Sequence, residues 1–441
     1  MIRAMIRQLA ALALALSPAF AALGQAPAWE LEQIAASRIA HPAPRMASGR
    51  PVHGAEPMNL FVVIETGDHH ATILDGDRLE PVARFSTREA QHGGPKFSPG
   101  GRFAYFVSRD GWISKYDLHN LRMAAEVRAG IDTRNAAVSS DGRYVMVANY
   151  VPHTLVVLDA RDLAPLKVIP VRGVNGRSSR VSAVYDAAPR GSFIAALKDV
   201  KEIWEIPYGA NAEPVYKGLV HDYKMKEGIA ETGPFPVRQI QLDDYVDDFF
   251  FDRRHANVVG AAHGAKNGQV VNLHVGRRIE TIELGGRPHL GSGAAWVWQG
   301  RTVLAAPNLE ESQVSVIDTT TWRTIRKIPT LGAGCFLRSH EGTPYAWVDA
   351  SNNGHGDAVQ VIDKPTLEVV RTLRPAPGRA VVHVEFSADG RYAVVSVGDV
   401  EGEIIVYDAS TLEVVRRLPM NKPSGTYNVR NGVAHSDATG Q

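Results

Sequence analysis

The sequence predicts an all-β fold, an eight-bladed β-propeller whose C-terminal strand closes the ring with the first blade. Three observations lead there: a turn motif that recurs along the chain, short strands rich in β-branched residues, and no comparable helical periodicity in the mature chain. The motif Phe97-Ser98-Pro99-Gly100-Gly101-Arg102-Phe103 returns as Val138-Ser139-Ser140-Asp141-Gly142-Arg143-Tyr144 and as Phe386-Ser387-Ala388-Asp389-Gly390-Arg391-Tyr392. The first two copies lie about 41 residues apart, the spacing of propeller blades.

Each copy continues in the same order. A Gly turn leads to an apolar strand (Tyr105 to Val107, Val145 to Ala148, Ala393 to Val397), and a polar turn to a second strand ending in Asp, as in Val156-Val157-Leu158-Asp159 and Ile405-Val406-Tyr407-Asp408. An outer strand such as Leu412 to Leu418 follows. Units beginning near Leu60, Phe97, Val138, Val181, Phe250, Trp296, Tyr345 and Phe386 number about eight, within the range of ordinary propellers. The strand after Met420 has no unit of its own and is expected to complete the first blade, which removes a free sheet edge. The stretch from Ala210 to Asp248 is longer than a blade turn and reads as a surface excursion or a lid.

The N-terminus carries Arg3 and Arg7, an apolar run from Leu9 to Leu16, and Ala19-Phe20-Ala21, the pattern of a Sec-type signal peptide cut near Ala21. The run is short for a membrane span, so a periplasmic protein with no stable membrane anchor is expected. Residues 1–21 are thus read as the signal peptide, 22–57 as an N-terminal extension and 58–441 as the propeller. Lys and Arg number 48 against 47 Asp and Glu, which gives no electrostatic footprint for nucleic acid. Cys335 is the only cysteine, which excludes an intramolecular disulfide, a multi-cysteine zinc or iron–sulfur site and covalent c-type haem.

Propellers bring residues of one repeat phase to one end of the central channel, however distant in sequence. His92 precedes the Phe97 strand, Arg134 precedes Val138, His289 precedes Trp296, His340 precedes Tyr345 and His383 precedes Phe386. Imidazole ligates haem iron and carries protons near neutral pH, and arginine grips carboxylates with a bidentate fork. The ligand that suits such a set is anionic, planar and iron-bearing. Arg109 and Arg180 are placed to add carboxylate contacts, and Tyr150 and Tyr185 to add hydrogen bonds. His53, His69, His70, His119, His153, His263 and His355 are read as turn or surface residues. Arg143 and Arg391 are read as parts of the repeated turn. The acidic run Asp243-Asp244 and Asp247-Asp248 is read as a solvated loop in preference to a calcium site. Nucleophile-elbow, zinc-helix, phosphate-loop and dinucleotide motifs are lacking.

Several segments together carry a resemblance to a family: His92-Gly93-Gly94-Pro95-Lys96-Phe97-Ser98, Ser108-Arg109-Asp110-Gly111-Trp112, Arg180-Val181-Ser182-Ala183-Val184-Tyr185-Asp186, Arg287-Pro288-His289-Leu290-Gly291-Ser292-Gly293, Arg338-Ser339-His340-Glu341, His383-Val384-Glu385-Phe386 and Pro423-Ser424-Gly425-Thr426-Tyr427-Asn428-Val429. From Leu60 to its end the chain resembles the d1-haem domain of cytochrome cd1 nitrite reductase. It is more similar to the dihydro-haem d1 dehydrogenase branch than to the reductase or to the assembly propellers of d1-haem synthesis.

The resemblance implies a propeller that holds d1 haem or dihydro-haem d1, with its iron, by non-covalent contacts. It implies His92 as the proximal iron ligand, Arg109 and Arg134 as carboxylate partners with Tyr150 beside them, and His289 and His340 as distal residues. In the dehydrogenase branch it implies His289, His383 and Tyr427 as ligand and proton-handling residues, with His383, or Tyr427 acting with it, as the base. The activity implied is oxidation of a propionate to an acrylate. The relatives carry a cytochrome c domain for which this sequence has no haem-attachment motif. Electrons are therefore expected to leave through a separate periplasmic c-type cytochrome, and the product to serve cytochrome cd1 nitrite reductase. Two other readings stay open at this point: a carrier that delivers d1 haem without catalysis, and a d1 subunit that reduces nitrite. A generic propeller for protein contacts, its histidines incidental, is a further one.

Overall fold

The computed structural model of the chain describes residues 29–42, 50–89, 91, 93–210, 214–217, 229–231, 233–262, 264–351 and 354–434. The expected signal peptide at 1–21, His92 and His263 lie outside the described residues. Eight antiparallel sheets follow one another along the chain as blades around an axis, as the repeats predict. From blade 1 to blade 8 the innermost strands are Pro423–Asn428, Lys96–Phe97, Asp132–Val138, Val181–Ala187, Asp248–Phe251, Ala294–Trp298, Leu337–Ser339 and Val381–Phe386.

The repeated motif is the hairpin between first and second strands. Gly101, Gly142 and Gly390 take φ of +69°, +70° and +73°, which L-side chains adopt only at a cost. Ser98, Ser139 and Ser387 accept the amides of Phe103, Tyr144 and Tyr392 at 3.0, 2.9 and 2.9 Å, so each turn satisfies its own backbone. The Asp that ends most third strands does the same at the next hairpin: Asp75, Asp117, Asp318 and Asp408 accept amides two and three residues on. Leu79, Leu121, Leu163, Leu367 and Leu412 close these hairpins at positive φ, from 49° to 63°.

The last strand behaves as expected. Tyr427 pairs with Val62 and Thr426 with Val63, making the chain's final strand the inner strand of blade 1. The Ser396 and Thr426 hydroxyls bond at 2.9 Å across the seam between blades 8 and 1, and Asn59 accepts the Ala388 amide at 2.9 Å beside them. Between other blades the contact is apolar: Tyr105, Val147 and Val156 form one buried cluster, and Trp347, Val361 and Phe386 another.

Two readings of the sequence are corrected. The units do not begin on inner strands throughout, because Leu60 and Tyr345 open second strands and Val138 ends a first one. The 210–248 stretch is only partly an excursion: it holds a small ribbon, Tyr216–Lys217 with Ile229–Ala230, but also Arg238–Gln241, the outer strand of blade 4. Nor is the 22–57 segment wholly separate. Helix Leu31–Ala36 buries Ile34, and Ile39–Ala40 pairs with Arg122–Arg128 to cover the edge of blade 2. No described helix is long and apolar enough to cross a membrane.

Ending the chain at Met420 would expose the inner faces of both seam blades. We expect a loss comparable to the whole folding free energy, ~5–15 kcal/mol, seen as aggregation or a melt with no cooperative transition. A cooperative melt at the full-length temperature would contradict this account of closure.

Candidate functional site

Side chains of non-adjacent blades can meet only at the axis, and electrostatics shows which ones do. Lys96 of blade 2 feels Arg134 of blade 3, Asp248 of blade 5 and Arg338 of blade 7. All stand on inner strands, and Lys96 and Arg338 are buried. Burial pushes the Lys96 ammonium down to about 8, with the two arginines adding to the effect and Asp248 opposing it. The channel is thus a buried, mostly cationic space.

One side of it is a cavity of about 230 Å³, lined by Arg134, Tyr150, Ser182, Lys198, Asp247, Asp248, Arg287 and His289 among others. His289 precedes the 3₁₀ turn Leu290–Ser292, whose tight Gly293-Ala294 exit starts the inner strand of blade 6. Its Nδ1 donates to the Cys335 carbonyl at 2.8 Å, an assignment made from geometry that leaves the Nε2 lone pair toward the channel. Nε2 lies 3.4 Å from the Ser292 hydroxyl and 3.8 Å from an Asp248 oxygen. Tyr185 donates to the other Asp248 oxygen at 3.0 Å, and Lys198 pairs with Asp247 at 3.0 Å. The acidic run read as a solvated loop is therefore divided: Asp247 and Asp248 face the cavity, because Phe249 and Phe251 anchor the strand in the core and turn Asp248 to the axis.

Opposite this cavity stands a second cluster. His383 is 1% exposed on the inner strand of blade 8, its ring 4.9 Å from that of Tyr427 and 5.2 Å from that of Phe336. Its Nδ1 faces the Thr426 amide at 3.5 Å, a contact too long to fix the tautomer. Nε2 is buried with no hydrogen-bond partner. Burial, then the nearby Arg338 charge, holds the imidazole well below its ordinary pKa, so it is neutral near pH 7. Burial raises the Tyr427 phenol above its ordinary range, so it is a proton donor. Gly94 and Gly425 frame the ring: a Cβ would stand 2.3 Å from Cε1 at the first and 2.4 Å from the hydroxyl at the second.

Other predicted residues stand elsewhere. His340 does not reach the channel mouth. It follows the inner strand Leu337–Ser339, so it lies in the turn at the opposite end, where its Nδ1 accepts the Gly342 amide at 3.0 Å and packs on Gly390. The sequence reading took Tyr345 for the inner strand, which shifted His340 by one strand. Arg180 is committed to Asp199 through bonds of 2.6 and 3.0 Å and stacks over Tyr150 at 5.3 Å, so it steadies a cavity wall. Tyr185 serves Asp248 instead of opening to the cavity, and Arg109 is exposed. Sequence reasoning missed Lys96, Arg338, Asp248 and Glu385 as site residues. Each lies on an inner strand, and the alternation of Lys96 with buried Phe97, or Glu385 with buried Phe386, was the available signal.

This donor set suits a polyanion. Besides the cationic lining, two buried nitrogens, Arg287 Nε and His383 Nε2, lack partners among the described residues. Leaving a buried polar atom unpaired costs ~1–3 kcal/mol, so their shared position around the channel marks where a ligand belongs.

The fold and channel define a class: a propeller that holds its ligand on the axis through side chains of many blades. Residues 55–432 match the Cytochrome D1 heme domain family, and the chain belongs to it. It is 51% identical over 414 residues to the dihydro-heme d1 dehydrogenase of Pseudomonas aeruginosa, covering 94% of this chain and 80% of that one. Protein NirF of the same organism is 30% identical over 379 residues, covering 84% of this chain and 91% of NirF. Among solved structures, dihydro-heme d1 dehydrogenase NirN in complex with DHE superimposes with a TM-score of 0.86 at 50% identity, covering 93% of this chain and 84% of that one.

The cavity wall gives a pH test. Asp199 is held down to about 2 by its hydrogen bonds to Arg180, so it stabilises the fold above its unfolded pKa and loses that contribution as pH falls from about 4 to 2. Because Arg180 is partly exposed, Asp199→Asn should cost only about 1 kcal/mol at pH 7. In chemical denaturation, that difference should vanish near pH 2; a difference independent of pH would contradict the ion pair.

Proposed function

We propose that this protein is a dihydro-haem d1 dehydrogenase acting late in d1-haem biosynthesis. The observation that carries the reading is the neutral, buried His383, its Nε2 unpartnered beside Tyr427. The 51% identity to a protein of that name supports it.

The substrate is dihydro-haem d1, and its propionate –CH₂–CH₂– becomes –CH=CH–. Two C–H bonds break, two protons leave, and two electrons pass to an external acceptor. His383, uncharged at neutral pH, takes a proton at Nε2. Tyr427 and Arg338 hold the reacting side chain's carboxylate, the phenol as donor and the guanidinium as countercharge. Lys96, Arg134 and Arg287 balance the remaining carboxylates. His289, oriented by the Cys335 carbonyl, offers Nε2 to iron once Ser292 and Asp248 yield it. His92, which the resemblance implies as an iron ligand, would share with His289 the task of holding the iron. A cavity of about 230 Å³ is smaller than a drug-sized pocket of roughly 300–1,000 Å³, so binding includes side-chain movement between it and His383.

In this reading the electrons pass to a c-type cytochrome, one to each of two equivalents; the residues of this sequence carry one cysteine and no Cys-x-x-Cys-His motif. In this reading the exchange takes place in the periplasm, which the N-terminal basic and apolar pattern supports, and the product goes on to cytochrome cd1 nitrite reductase.

The test is anaerobic single turnover. Bound dihydro-haem d1 should convert to d1 haem only when an oxidised c-type cytochrome is added. His383→Ala should bind it within about threefold of wild type and convert it at least about 100-fold more slowly, the scale of general-base loss. Binding without conversion by the wild type would instead make the chain a carrier.

A further inference from the structure

A base as enclosed as His383 cannot keep the proton it takes. Arg338 stands beside it, burial opposes its charged form, and the reaction yields two protons where one imidazole has a single place. The structure must supply a way out, and the same strand offers one. Glu385 lies two residues beyond His383 on Val381–Phe386, so both side chains project from the same face, ~7 Å apart along the strand. Because inner strands run from the His289 end of the channel toward the repeated turns, Glu385 is the deeper of the two.

Its surroundings are those of a transfer site. Glu385 Oε1 accepts the Phe386 amide at 2.8 Å and the Asn431 side-chain amide at 3.0 Å. Asn431 belongs to helix Val429–Ala434, which packs against the inner strands of blades 1 and 2 and so lies at this far end of the channel. The charged and titratable groups acting on Glu385 are Arg338 from blade 7 and Tyr427 from blade 1, and His383 stands two residues back on the same strand. Neither hydrogen bond requires a carboxylate, since an amide oxygen accepts both equally well. A buried acid in a site that glutamine would fill is costly unless its charge is used.

We infer that Glu385 is the proton-relay residue of this channel, receiving each proton from His383 Nε2 and passing it toward the end closed by helix Val429–Ala434. The inference rests on the dehydrogenase reading. Each transfer moves one proton from imidazolium to carboxylate; the electrons leave separately to the external cytochrome, so charge and atoms balance. Burial lowers the imidazole and raises the carboxyl, and both shifts favour transfer from imidazolium to carboxylate. Glu385 acts through His383 and touches no reacting atom.

Glu385→Gln is the test, with Asn431→Ala as a second variant that keeps the carboxyl and removes one of its hydrogen bonds. In protein without substrate, infrared difference spectra should show a carboxyl band that titrates above the ordinary glutamate range and is absent from the glutamine variant. In single turnover with oxidised c-type cytochrome, Glu385→Gln should bind dihydro-haem d1 within about twofold of wild type. It should convert it at least about tenfold more slowly, with a changed pH–rate profile. Asn431→Ala, which removes a hydrogen bond that favours the Glu385 carboxylate, should keep conversion but move the pH–rate profile to higher pH. A wild-type rate and profile in Glu385→Gln, or no band assignable to Glu385, would overturn the relay while leaving the dehydrogenase intact. Failure of the wild type itself to convert would overturn both.

Discussion

The pairing of Pro423–Asn428 with Leu60–Glu65 joins the two ends of the chain inside one sheet, and closure of the ring and assembly of the site both depend on it. A propeller blade buries its faces only against its neighbours, so an unpaired blade 1 would leave strand edges and apolar faces exposed on both sides of the seam. The same strand carries Tyr427 to the channel and runs into the helix that bears Asn431. His383, just across the seam, has its ring against Tyr427 and its Nδ1 at the Thr426 amide. Folding and chemistry therefore share one set of contacts.

The channel concentrates like charge. Lys96, Arg134 and Arg338 act on one another from three blades, and the Lys96 ammonium is depressed by burial first, with the two arginines adding to it. Such an arrangement persists because the surrounding blades over-determine it, the usual condition for strain stored at a functional site. A polyanionic substrate relieves it, so part of the binding energy is the removal of repulsion already built into the protein. Asp248 performs a smaller version of that task, balancing Lys96 while bonded to Tyr185 and lying beside His289.

Much of this was legible before any coordinates. The Ser-x-x-Gly turn spacing carried the blade count, and the unpaired last strand carried the closure, because both follow from backbone requirements that few residues satisfy. His289, His383 and Arg134 were picked out by repeat phase, and Tyr150 was added beside them as a hydrogen-bonding group. His340 was misplaced because phase was counted from the more apolar second strand, and the true inner strand, Leu337–Ser339, is too short to stand out. Lys96, Arg338 and Glu385 were passed over because a charged residue in a β-rich sequence ordinarily marks a solvated face. On innermost strands that rule reverses, since the face opposite the core is the channel. Asp248 escaped because an acidic run looks alike whether it bends outward or inward.

The central claim is that the axial channel receives dihydro-haem d1 between the His289 and His383 clusters. An anaerobic crystal structure of the protein with dihydro-haem d1 tests it most directly. The account predicts the macrocycle on the propeller axis, its carboxylates against Arg134, Lys96 and Arg338, and its reacting propionate within hydrogen-bond reach of Tyr427 and His383. A macrocycle bound on the outside of the ring, or one in the channel with that propionate turned away from His383, would contradict it.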